Sequence, residues 1–202
     1  MKHNQLDKEY YVMGFDYANN YLMLAWGDFD YGSFLKATPI DINTLDLPIK
    51  IIFDETVSKE CKMADFLMLG SECVGSNKLK NHFEQMNIYG IQFIPIEIKP
   101  KKGDTISGYF AINIWNVIQA IDKNNYEGVE PDEFGLIWDL EKFSLDTELL
   151  DKIPLEKRMF FGLAENNLII VHQSIYEAIQ KENLIGIKFH RIDEWDDSVM
   201  FR

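Results

Sequence analysis

Arg158-Met159-Phe160-Phe161-Gly162-Leu163-Ala164, Glu165-Asn166-Asn167 and Leu168-Ile169-Ile170-Val171-His172 follow one another without interruption, and this stretch decides the fold. Two apolar runs of strand length flank a short polar break, and asparagine tolerates the positive φ of a tight turn, so 158–172 reads as a β-hairpin. Immediately downstream, Ser174-Ile175-Tyr176-Glu177 has the spacing of a capping box, in which hydroxyl and carboxylate satisfy backbone donors at a helix start. A helix is expected over 175–182, closed by Asn183 in the left-handed conformation. Leu184 to Ile192 then returns to strand, making hairpin, helix and strand one α+β unit.

Upstream the same signals recur. Tyr10 to Phe15 and Tyr21 to Trp26 are apolar runs around the polar Asp16-Tyr17-Ala18-Asn19-Asn20 and are expected to pair as a hairpin. Further strands are expected at Ile49 to Phe53, Gly90 to Lys99, Gly108 to Ile114 and Phe134 to Asp139. In the second of these Ile94, Ile96 and Ile98 alternate onto one face, and Pro95, lacking a donor, favours an edge or bulge. Ser76 can cap a helix to about Met86, with Leu79, Phe83 and Met86 on one face. Two more helical segments are expected around Ser58 to Leu69 and Trp115 to Lys123. With no linker or repeat in view, the reading is a single α+β domain over 10–202, mostly antiparallel sheet with a few short helices, after a flexible N-terminus at 1–9.

Composition sets the bounds. A chain of 202 residues with 47% hydrophobic and 13% aromatic residues can bury a sizeable core, which excludes disorder, collagen and coiled coil. The longest apolar runs fall far short of the roughly 20 residues that span a bilayer, and the polar N-terminus lacks a secretory pattern, so a cytoplasmic protein is expected. Cys61 and Cys73 fit no zinc spacing, and no disulfide is expected of them. The formal net charge of -13 disfavours nucleic acid as a partner, because phosphate contacts need clustered Lys and Arg.

That surplus is unevenly placed. Asp122 to Glu156 holds eleven acidic and three basic residues, and Asp193-Glu194-Trp195-Asp196-Asp197 forms a second cluster. Both read first as solvated faces; as interaction surfaces they offer Glu130, Asp132 and Glu133 in one place, and Asp193, Glu194, Asp196 and Asp197 around Trp195 in the other. Trp26, Phe29, Tyr31 and Phe34 gather around Gly27 and Gly32 in a loop-like segment, where exposed aromatics would suit protein recognition and inward-folded ones would join the core.

Common catalytic chemistries each demand a recognisable arrangement of residues. The chain holds no Gly-rich phosphate loop ending in Gly-Lys-Ser/Thr, no GxGxxG, no GxSxG and no HExxH. Among the four histidines, His82 reads as an exposed helix residue and His3 as part of a frayed end. His172 and His190 could lie on adjacent strands near the C-terminal carboxylates, an arrangement able to hold a divalent metal or to serve a small hydrolase. The ligands show no metal spacing, so no catalytic residue, metal or cofactor is assigned.

The order of elements carries a resemblance. The N-terminal Tyr-Tyr-Val strand, Ala64-Asp65-Phe66-Leu67, Val74-Gly75-Ser76 opening a helix, Gly90 to Ile98, Gly108 to Ile114 followed by Val117 to Asp122, Phe160 to Glu165, Ile169-Ile170-Val171 and Leu184 to Phe189 resemble, in this order, the eleventh immunity-protein family of bacterial polymorphic toxin systems. The match covers roughly residues 10 to 192, and its motifs are packing patterns of strand and helix. The resemblance implies a non-enzymatic cytoplasmic protein that binds and neutralises a cognate toxin. A basic partner, such as a nuclease domain, would suit the acidic surface. The alternative is the small hydrolase or metal-dependent enzyme built on His172 and His190.

Overall fold

In a computed structural model the protein is described at residues 1–19, 21, 23–24, 38–53, 62–69, 72–100 and 104–201. The strands are β1 (Tyr10–Phe15), β2 (Met23–Leu24), β3 (Ile49–Phe53), β4 (Phe66–Leu69), β5 (Glu72–Ser76), β6 (Ile91–Pro100), β7 (Ile106–Ile114), β8 (Val117–Ile118), β9 (Ile121–Gly128), β10 (Leu140–Leu145), β11 (Phe160–Leu163), β12 (Ile169–His172) and β13 (Ile187–Arg191). The helices are α1 (Asn77–Gln85), α2 (Thr147–Leu150), α3 (Leu155–Arg158) and α4 (Gln173–Lys181). The fold is α+β, mostly antiparallel sheet with short helices. Among the described residues no helix is long and apolar enough to cross a membrane.

Contacts gather the chain into two compact units. One comprises Met1–Gly14, Asn116–Asn183 and Lys188–Arg202; the other comprises Phe15–Trp115 and Leu184–Ile187.

In the first unit a sheet runs in the order β13-β1-β12-β11-β8, and β9 pairs separately with β10. The hairpin expected at 158–172 forms: β11 and β12 are antiparallel, Phe160 opposite Val171 and Gly162 opposite Ile169. Asn167 takes φ +57, and Leu163 N–H donates to Leu168 O at 2.7 Å to close the turn. Both strands are almost wholly buried, and the short turn at Asn167 sets their register. Tyr10, Val12, Phe143, Phe161, Ile170 and Trp195 meet in one apolar cluster.

Helix α4 also forms, but its cap is His172, whose Nδ1 accepts from Ser174 N–H at 3.2 Å, so the helix begins one residue before the expected capping serine. A strand-end histidine with a free acceptor nitrogen does what Ser174 was expected to do. Asn183 closes the helix at φ +50. The first nine residues, expected to be a flexible end, carry contacts of their own: Leu6–Lys8 is a 3-10 turn, and Asp7 is fully buried.

Strand β1 corrects the N-terminal hairpin. It pairs antiparallel with β12, Tyr10 opposite His172 and Met13 opposite Ile169, whereas β2 pairs parallel with β4. A strand with five of six residues buried needs neighbours on both edges, and that demand outweighs a short turn sequence. Of the expected partner strand, residues 22, 25 and 26 lie outside the described residues.

In the second unit the order is β2-β4-β5-β7-β6-β3. Ile94, Ile96 and Ile98 are buried as their alternation requires. Pro95 pairs with Phe110 of β7, and β3 joins the other edge of β6 only from Ile96 onward, so the missing donor interrupts no ladder. Ser76 caps α1, accepting from Leu79 N–H at 3.1 Å while its hydroxyl donates to Asp65 at 2.7 Å. Leu79 and Phe83 form the buried stripe.

The two other expected helices are strands. Trp115 to Lys123 contains β8 and the start of β9, where β-branched Val117, Ile118 and Ile121 favour extended backbone. Phe66–Leu69, the end of the second segment, is β4, paired antiparallel with β5; residues 58–61 lie outside the described residues. Apolar runs this short carry no decisive period.

Candidate functional site

The connection between β9 and β10 is the part of the first unit that departs furthest from a buried strand. The sequence from Glu127 to Glu141 contains six acidic residues and no basic one. Phe134–Asp139, expected as a strand, is instead a turn. Its base is closed where Val129 N–H donates to Asp139 O at 3.2 Å, beside Gly128 at φ +155, where a Cβ would meet Asp139 O at 2.4 Å.

Asp132 organises what lies above that base. Oδ1 accepts from Phe134 N–H at 2.8 Å and Leu136 N–H at 2.9 Å, and Oδ2 accepts from the Trp138 indole N–H at 2.8 Å. Gly135 N–H donates to Asp132 O at 3.0 Å, with Gly135 at φ +82. The Leu136 backbone bond and then the Trp138 bond stabilise the carboxylate and hold its pKa below the usual range. Ile137 points the other way: it is buried, its N–H donates to Glu165 O at 2.7 Å, and its carbonyl accepts from Asn166 Nδ2 at 2.5 Å.

The turn is therefore pinned from both sides, and it holds its aromatics outward. Phe134 is 81% exposed, Trp138 71% and Val129 57%. Single exposed apolar residues are ordinary; here three fall in one eleven-residue connection (129–139) that also carries Glu130, Glu133 and Asp139. Phe134 and Trp138 were not expected at the surface. The signal that marks them is Pro131-Asp132-Glu133-Phe134-Gly135, with Asp opening a turn and Gly three residues later.

The C-terminal acidic cluster is arranged differently. Arg191 Nε donates to Asp193 at 2.5 Å, and Arg191 Nη2 donates to Asp193 at 3.2 Å and Glu194 at 2.6 Å. One guanidinium thus offsets two carboxylates and holds them in place. Asp196 accepts from the Ser198 hydroxyl, and Asp197 is exposed. Trp195, expected as an exposed anchor among these charges, is only 2% exposed, with its ring centroid 5.2 Å from that of Phe143 in an edge arrangement. Its place is the core, because a bulky indole gains more from burial than neighbouring acids lose by turning outward. Trp26, Phe29, Tyr31 and Phe34 lie outside the described residues.

His172 and His190 are not on adjacent strands: β1 stands between β12 and β13, two inter-strand spacings or about 10 Å. His172 is the cap of α4, and burial, the leading cause, lowers its pKa. Burial also lowers that of His190, assisted by the like charge of Lys188 and opposed by Asp196. Among the described residues no group of three or more His, Cys, Asp or Glu side chains is placed to hold a metal ion. Cys73 is buried in β5, and Cys61 lies outside the described residues.

A family model described as an immunity protein family (Imm11) matches residues 16–194 of the chain. No curated protein sequence matches it.

Proposed function

The chain belongs to the Imm11 family of immunity proteins, and from that premise we propose that it binds a cognate toxin in the cytoplasm of the producing cell and neutralises it without catalysis. The family match, which runs through both compact units, carries the reading. The two units are proposed to act together as a single immunity domain. The expected acidic contacts Glu130 and Glu133 in the β9–β10 connection and Asp193, Glu194, Asp196 and Asp197 near the C-terminus are proposed as the surface that meets the toxin, with Asp132 holding the turn that carries the first pair.

Charge supports this choice of partner. At a formal net charge of -13, the chain would attract a basic protein over long range, speeding encounter and disfavouring acidic competitors. A nuclease domain, whose nucleic-acid groove must be lined with Lys and Arg, has the complementary chemistry. The test is co-expression with the cognate toxin, sought among the products of neighbouring genes. The immunity reading predicts survival with the chain and killing without it, together with a purified complex of the two proteins. Killing that proceeds equally with and without the folded chain would contradict it.

A further inference from the structure

We infer that the β9–β10 connection is the docking epitope, with Trp138 and Phe134 seating on a partner protein surface lined with Arg and Lys side chains. This rests on the immunity reading and goes beyond it by naming the contact and its chemistry. The first ground is exposure: Phe134 and Trp138, at 81% and 71%, are the most exposed large hydrophobic side chains among the described residues. Burying two such rings at an interface gains their full apolar area, and tryptophan is among the residues that dominate binding energy.

The second ground is preorganisation. The Trp138 indole is held by Asp132 Oδ2, Phe134 N–H and Leu136 N–H by Asp132 Oδ1, and Ile137, which lies between the two aromatics in sequence, is buried in the core on the other side. Little conformational freedom is left to lose on binding, so more of the contact energy appears as affinity. Asp132 is a positioning residue here, since both of its oxygens are engaged inside the turn.

The third ground selects the partner. Acidic residues flank the rings on both sides without a basic residue from Glu127 to Glu141. Cationic side chains can pair with Glu130 and Glu133 and also lie over the faces of Trp138 and Phe134, whereas an acidic or phosphate-bearing partner would be repelled.

The test titrates the full chain with its cognate toxin, sought among the products of neighbouring genes. Trp138→Ala should weaken binding about 30-fold, chiefly through faster dissociation, and Phe134→Ala about 10-fold. Asp132→Asn keeps the turn's size while weakening its acceptors, and should weaken binding by less than Trp138→Ala. Leu155→Ala, an exposed apolar control on α3, should leave affinity within about twofold. Binding by Trp138→Ala and Phe134→Ala equal to the parent, with circular dichroism unchanged, overturns the epitope while leaving the immunity reading standing. A parent that binds no toxin overturns both. A parent that sediments as a dimer, made monomeric by Trp138→Ala, would show that this face meets a second copy and overturns the inference.

Discussion

Asp7 and Ser144, 137 positions apart in the chain, share a hydrogen bond of 2.6 Å in which the Ser144 hydroxyl donates to Asp7 Oδ2. Asp7 Oδ1 accepts from Leu145 N–H at 2.8 Å, and Oδ2 also accepts from Asn4 N–H at 2.9 Å. Both Asp7 and Ser144 are fully buried, so this side chain ties the N-terminal turn to β10. Asp7→Ala strands two buried donors and should cost about 3 kcal/mol in urea unfolding, against about 1 kcal/mol for Ser144→Ala. Equal, small effects of both would show that the N-terminal turn contributes little to the unit.

Glu165 gives a pH signature. Its carboxylate accepts from Ile121 N–H at 3.0 Å and Ala120 N–H at 3.3 Å, yet it is 5% exposed, and burial, the largest influence, raises its pKa. The folded state therefore holds its proton to higher pH than the unfolded chain does. The associated stability is fully present below the unfolded carboxyl pKa and is lost as pH rises through the raised folded value. Relative to the parent, Glu165→Gln should become more stable as pH rises across that window. Unfolding curves at several pH values check it; a pH-independent difference would contradict it.

His172 should behave in the opposite sense. Its Nδ1 accepts at the start of α4 only when unprotonated, and its pKa is lowered, chiefly by burial. Its stabilisation is present above the unfolded histidine pKa and is lost as pH falls through the lowered folded value. His172→Ala should cost about 1 kcal/mol at pH 8, and the difference should shrink on acidification. His172→Asn should restore the cap without the pH dependence.

Gly186 takes φ +88, and a Cβ there would lie 2.4 Å from Phe66 O and 2.6 Å from Ala64 Cβ. The backbone carbonyl cannot yield as a side chain would. Gly186→Ala should cost about 2 kcal/mol or more, measured by thermal unfolding, whereas Gly135→Ala at φ +82, with nothing within 4 Å, should cost only the left-handed backbone term of about 1 kcal/mol.

These positions show which features were legible in the sequence. Helix α1 was, because Ser76, Leu79 and Phe83 make their contacts within one or two turns. The β11–β12 hairpin was legible for the same reason, through Asn167 and two apolar runs. Strand β1 was not: its partner β12 lies more than 150 positions away, and only burial in the assembled sheet selects it over a local turn. At the candidate site the acidic bias was visible, but alternating apolar residues from Phe134 to Trp138 imitate a half-buried strand. One carboxylate, Asp132, holds three donors and turns both rings outward. Trp195 is the converse case, since Arg191 holds Asp193 and Glu194 beside it while its ring enters the core.

Neutralisation by binding is read out by toxin activity measured against added chain. The cognate toxin, sought among the products of neighbouring genes, is assayed with increasing amounts of the purified protein at low and high salt. Activity should fall to background near one equivalent, with apparent affinity weakening as salt screens charges beyond about 8 Å at 0.15 M ionic strength. Toxin activity undiminished by a several-fold excess of folded chain at low salt would contradict it.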